Sequence, residues 1–113
     1  MFRLTIVGST QGFDIDTRRT VGRLSRCPIQ LINVTVSKEH CTVEAVRGQY
    51  VLVRDLGSLN GVTVNGQRIK GEAKVFPGSE IGVGTVRLLV EERLSEEASQ
   101  AVTPRIWRGV KKE

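Results

Sequence analysis

Metal-binding and thiol residues are scarce in this sequence. His40 is its single histidine, and its two cysteines, Cys27 and Cys41, form no C-x-x-C pair. A zinc site needs three or four such groups together, so no metal centre and no cofactor are expected. Two cysteines build no disulfide framework; both read as reduced thiols, at least one of them buried. Aromatic residues make up 4% of the chain, too few for the stacking platforms that grip single-stranded nucleic acid. No apolar run approaches the ~18 residues of a membrane span. The N-terminus, from Met1 to Val7, alternates like a strand and lacks the basic leader, apolar stretch and cleavage site of a signal peptide. A cytoplasmic domain acting on neither membrane nor nucleic acid is the expectation. There is no Gly-x-x-x-x-Gly-Lys phosphate loop and no internal repeat.

What is present suits one folded unit. A chain of 113 residues holds one domain and buries about two-thirds of its unfolded surface. Its net charge is +5, and five acidic residues balance five basic ones from Glu91 onward. The whole excess therefore lies in residues 1–90, where a positive surface attracts anions.

Short alternating segments dominate. Phe2, Leu4 and Ile6 alternate with Arg3 and Thr5; Cys41, Val43 and Ala45 with Thr42 and Glu44; Val51 and Val53 with Tyr50 and Leu52. Residues 85–90 form another strand that closes the core. A period of two with many β-branched residues predicts sheets. Turn signals separate the segments, the strongest being Asn65-Gly66, whose residues tolerate the positive φ of a type I′ hairpin. Many short strands without βαβ alternation predict an all-β sandwich or barrel. From Glu91 to Val102, Leu94, Ala98, Ala101 and Val102 fall near helical spacing, and Pro104 would end such a helix. The expected boundaries are a domain over 1–92 and a tail or linker over 93–113.

Three loops carry candidate chemistry: Gly22-Arg23; Ser37-Lys38-Glu39-His40; and Asp55-Leu56-Gly57-Ser58-Leu59-Asn60-Gly61, followed by Asn65-Gly66. In a sandwich, loops distant in sequence meet at one end. A phosphate dianion calls for a guanidinium, a hydroxyl, an ammonium and backbone N–H groups. Arg23, Ser37 and Lys38 supply the side chains. Asn60 offers a donor and an acceptor, which suits the main chain of an extended peptide. Each signal alone is weak: Gly-Arg is an ordinary turn, and Asn-Gly an ordinary hairpin.

The ordered set is specific. Gly22-Arg23, Ser37-x-x-His40, the Asp55–Gly61 segment, Asn65-Gly66 and Gly78-Ser79-Glu80-Ile81 with Gly84 resemble the forkhead-associated (FHA) signature over residues 2–91. The resemblance implies a β-sandwich of two antiparallel sheets that recognises phosphothreonine proteins, the partners of a Ser/Thr kinase, and is not an enzyme. It implies that Arg23, Ser37 and Lys38 hold phosphate, while Leu59, Asn60 and Asn65 lie against the peptide. Gly22, His40, Asp55, Gly57, Ser58, Gly61 and Gly66 would be structural, with His40 bracing the Ser37 loop. Leu59 departs from the threonine common in the family, which removes one hydroxyl donor; Val62 also stands where threonine is usual.

Three other readings are weaker. Ser37, His40 and Asp55 name a triad only on paper, because Ser37 has no nucleophile-elbow context. Positive charge permits nucleic acid, but too few aromatics accompany it. An FHA-fold scaffold acting through a phosphate-independent surface would not need Arg23, Ser37 and Asn60 together. In the tail, Thr103-Pro104-Arg105-Ile106-Trp107 sets Ile106 three residues after Thr103, a position such domains often read. A phosphorylated Thr103 would thus make the tail a ligand for its own domain or a second copy; a plain linker is the simpler reading.

Overall fold

The alternation of Phe2 and Leu4 with Arg3 and Thr5 becomes strand β1 (Phe2–Ile6), with Phe2 and Leu4 fully buried. In this computed structural model, residues 2–92 are described. Ten further strands follow: β2 (Gly12–Ile15), β3 (Arg19–Gly22), β4 (Ile29–Gln30), β5 (Cys41–Val46), β6 (Tyr50–Asp55), β7 (Val62–Val64), β8 (Gln67–Arg68), β9 (Glu72–Val75), β10 (Glu80–Val83) and β11 (Val86–Glu92). No helix occurs among the described residues. Glu91 and Glu92, read from sequence as the start of a helical segment, instead extend β11, because Arg3 and Phe2 of β1 pair with them. The rest of that segment and Thr103-Pro104 lie outside the described residues.

The strands form two sheets, in the orders β2-β1-β11-β10-β7-β8 and β4-β3-β5-β6-β9. Their inner faces meet in one core. Val21, Val43, Val51 and Val53 from one sheet and Leu4, Ile81, Leu88 and Val90 from the other are all fully buried. Each such side chain contributes about 1.5–3 kcal/mol by leaving water. The Asn65-Gly66 turn is a two-residue hairpin, since Val64 pairs with Gln67. Its φ values of 51° and 85° are the left-handed pair that a type I′ turn requires.

One pairing departs from the antiparallel rule. β4 runs parallel to β3, Val21 opposite Ile29. After Gly22 the chain turns through residues 24–27, where the Cys27 amide donates to Leu24 O over 3.0 Å, and returns in its original direction. This long connection is not loose. Cys27, Ile29, Leu31 and Val36 are buried along it and anchor it to the core. Burial of these side chains raises the cost of opening the segment locally, which suits it to carry a site.

Candidate functional site

At one end of the sandwich the β3–β4, β4–β5 and β6–β7 connections converge with the β10–β11 turn. Their meeting begins at Gly22. A side chain there would collide with Lys38 O and come within 2.8 Å of Cys27 Sγ. Glycine lets the two backbones touch, so the Arg23 amide reaches Ser37 O and Lys38 O, each at 3.1 Å. Gln30 Nε2 holds Arg23 O at 3.1 Å. Arg23 Nε donates to Val36 O over 3.1 Å, which aims the guanidinium and leaves its terminal nitrogens available.

His40 is the buried brace. It is fully buried, the sole polar side chain in that class among the described residues. The Ser37 amide donates to its Nδ1 over 3.0 Å. Nδ1 is therefore the acceptor, and the ring proton sits on Nε2, which donates to Gly61 O over 2.8 Å. The His40 amide bonds Val21 O at 2.8 Å, and His40 O accepts from Leu56 N at 3.0 Å. One residue thereby joins β3, the Ser37 loop and both ends of the third loop. Both ring nitrogens face backbone groups, so neither serves Ser37 Oγ as a base.

The third loop has its own cap. Asp55 Oδ1 accepts from the Ser58 amide at 2.8 Å, a local side-chain-to-backbone bond of the N-cap kind. Gly57 and Gly61 adopt φ of +79° and +78°, the left-handed region that glycine enters without steric cost. Ser58 Oγ is buried and has no hydrogen-bond partner among the described residues. At the root of these loops, burial pushes the Cys41 thiol up to about 12, with the Asp55 charge opposite it adding to the shift. Cys41 and Cys27 are both free and buried, and no His, Cys, Asp and Glu group suited to a metal is found among the described residues.

Arg23, Ser37, Lys38, Leu59 and Asn60 line one open pocket of about 400 Å³. Among the described residues neither Arg23 nor Lys38 has a carboxylate partner, whereas Glu39 on the same rim pairs with Arg26 at 3.2 Å. The pocket thus keeps two uncompensated cations. Ser37 Oγ accepts from the Leu59 amide at 3.1 Å, which leaves its own hydrogen to donate elsewhere. Asn60 Nδ2 donates to Thr35 O over 2.8 Å and its Oδ1 has no partner among the described residues. Leu59 is 85% exposed on the rim.

Asn65, expected against the peptide, is not part of this pocket. Its Oδ1 accepts from the Glu80 amide at 2.9 Å and its Nδ2 donates to Ser79 Oγ at 3.2 Å. Its side chain braces β7 against the start of β10. Thr35, conversely, is a wall residue that sequence reading missed. Its amide and hydroxyl both donate to Asn33 Oδ1, at 2.9 and 2.6 Å, and its hydroxyl accepts from Thr85 N at 2.9 Å. The signal was Asn33-x-Thr35, an Asx turn in the making.

A family model described as the FHA domain matches residues 19–84. The chain belongs to that family. Known FHA structures share the architecture. The FHA domain of the CT664 protein from Chlamydia trachomatis is 24% identical, with a TM-score of 0.73 over 82% of this chain and 98% of that one. The FhaA FHA domain, solved in complex with the intracellular domain of Rv3910, is 27% identical, with a TM-score of 0.73 over 80% of this chain and 100% of its own. An FHA structure from work on phosphothreonine-dependent interactions is 26% identical, with a TM-score of 0.74 over 83% and 98%. No curated protein matches the chain.

Proposed function

We propose that this FHA domain is a phosphothreonine reader that docks a kinase-modified protein through the pocket around Arg23. One observation carries the reading. Among the described residues, Arg23, Ser37 and Lys38 converge on one recess with no carboxylate neutralising either cation, and Asn60 stands at its rim. Uncompensated cations beside a preset hydroxyl donor make a dianion site. The Arg23 terminal nitrogens take two phosphate oxygens, Ser37 donates its free hydrogen, and Lys38 adds a point charge. Asn60 Oδ1 then accepts from the main-chain amide beside the phosphothreonine. Two relatives support the reading by what they bind: an intracellular domain in one case, phosphothreonine partners in the other.

Binding rather than catalysis is the proposed role, because His40 is committed at both ring nitrogens and Ser37 Oγ already accepts from Leu59. Two buried free thiols suit a reducing, cytoplasmic setting, where Ser/Thr kinases supply the mark. The folding unit assigned to this role is 1–92. The test is titration of a degenerate phosphothreonine peptide pool and its unphosphorylated twin against wild type and Arg23→Ala. Phosphate-dependent binding lost in Arg23→Ala is expected. Equal binding of both pools, or none to folded wild type, points to a scaffold working through another surface.

A further inference from the structure

The outer face of the second sheet carries an apolar corner that the core does not use. Strand alternation turns Val43, Val51, Val53 and Val75 inward, where they are buried. It turns Val46, Tyr50, Leu52 and Lys74 outward, and the register sets Val46 opposite Tyr50 and Leu52 opposite Lys74. Phe76 follows β9, and its ring meets the Tyr50 ring with centroids 5.8 Å apart. Lys74 Nζ stands 5.1 Å from the Tyr50 centroid, a cation–π contact. Val46, Tyr50 and Leu52 are half-buried, and Phe76 is 53% exposed. Ion pairs border the corner, Arg18 with Glu44 and Arg54 with Glu72. An exposed apolar cluster with a charged border has the anatomy of a docking surface.

Its place in the fold says what covers it. The Gly78 amide donates to Val90 O over 2.8 Å, and the Val90 amide donates to Ser79 O over 2.9 Å. The turn that follows Phe76 is therefore clasped to β11 two residues before Glu92, where the described residues end. By that path Phe76 and Glu92 are at most about 20 Å apart. Ile106 and Trp107, the bulkiest neighbouring apolar pair beyond Glu92, follow it by 14 and 15 residues. Fifteen extended residues reach about 50 Å. With the 94–102 stretch wound as a helix, as its spacing predicts, they still reach about 30 Å. The exposed Leu59 stands at the binding loops, farther away by about the 20 Å length of β11. The corner thus asks the segment to stretch less than any apolar residue at the loop end does.

We infer that residues 93–107 fold back on their own domain and seat Trp107 against the Tyr50–Phe76 ring pair, with Ile106 beside it. A tilted ring pair offers both an edge and a face to a third aromatic ring. The indole and the isoleucine leave water, and the half-open Phe76 ring is covered. The chain then leaves the domain from the outer face of this sheet, at the end remote from the phosphate pocket. The contact needs no phosphate and goes beyond the phosphothreonine reading.

Trp107 is the sole tryptophan, so its fluorescence reads the contact in the full chain. Its emission should lie to the blue of a synthetic peptide of residues 100–113, and acrylamide should quench it about threefold more slowly. This protection should be independent of protein concentration. Phe76→Ser should return both readings to the peptide's values, with amide spectra confirming the fold. Should that variant fail to fold, Trp107→Ser is the second test. It should shift the amide resonances of Val46, Tyr50, Leu52 and Lys74 and leave those of Arg23 and Ser37 in place. A Trp107 as exposed in the full chain as in the peptide overturns the inference. So does protection that survives Phe76→Ser, or Trp107→Ser shifts confined to other surfaces. Protection that disappears on dilution assigns the corner to the tail of a second copy and overturns docking within one chain.

Discussion

The Leu59 amide donates to the Ser37 hydroxyl over 3.1 Å, tying the third loop to the second through an oxygen on the pocket wall. The bond orients the hydroxyl, so its hydrogen points away from Leu59. Ser37→Ala removes both the tie and the donor. Losing a hydrogen bond to a charged group costs about 1.5–3 kcal/mol, so phosphopeptide affinity should fall about tenfold to a hundredfold. Calorimetric titration reads this directly; a loss under twofold would remove Ser37 from the phosphate contacts.

His40→Leu keeps the ring's approximate volume but strands the Ser37 amide and Gly61 O. Each unsatisfied buried group costs about 1–3 kcal/mol. Urea unfolding should therefore show a loss of about 2–5 kcal/mol. Affinity should fall as well, since the Ser37 loop loses its support. Unchanged stability would mean that water replaces both bonds.

Gly22→Ala places a methyl against Lys38 O and Cys27 Sγ. The backbones must part, breaking the Arg23 amide bonds to Ser37 O and Lys38 O. A destabilisation of about 1–3 kcal/mol or more is expected, together with weaker phosphopeptide binding. Amide hydrogen exchange should quicken at Arg23 and Leu24 before the rest of β3.

Cys41 predicts an alkaline limb in stability. Its ordinary value of 9.0 is pushed up to about 12 in the fold, chiefly by burial. Between these values the unfolded chain gives up the thiol proton and the folded chain keeps it. The unfolded state then binds fewer protons, so stability is full below pH 9.0 and falls as pH rises towards about 12. The limiting slope is about 1.4 kcal/mol per pH unit for one group. Comparing unfolding free energies of wild type and Cys41→Ala across this range isolates it: the variant should lose less with rising pH.

Much of the sandwich was legible because period-two alternation survives wherever a strand has one buried face, as at Phe2-Leu4 and Cys41-Val43. The Asn65-Gly66 hairpin was legible because few residue pairs tolerate two left-handed φ values. β4 was not, since two residues paired in parallel leave no periodicity to read. Arg23, Ser37, Lys38, Leu59 and Asn60 were legible as motif residues, although no local rule told how four connections would meet. Asn65 was read against the peptide from its chemistry; the fold adds bonds to Ser79 and Glu80 at the start of β10 that no local rule foretold. Thr35 went unread because its place on the pocket wall comes from loop packing, which depends on the finished fold.

The pairing of β1 with β11 sets Phe2 beside Glu92. β11 starts next to Thr85, which touches Thr35 on the pocket wall, and runs about 20 Å before Glu92. The two ends of the described residues, Phe2 and Glu92, are thus neighbours at the end remote from the binding loops. Such a unit behaves as a cassette. It can be set into a loop of another protein, or closed by a short bridge and reopened at the Arg47-Gly48 turn between β5 and β6, with the phosphate pocket still facing outward.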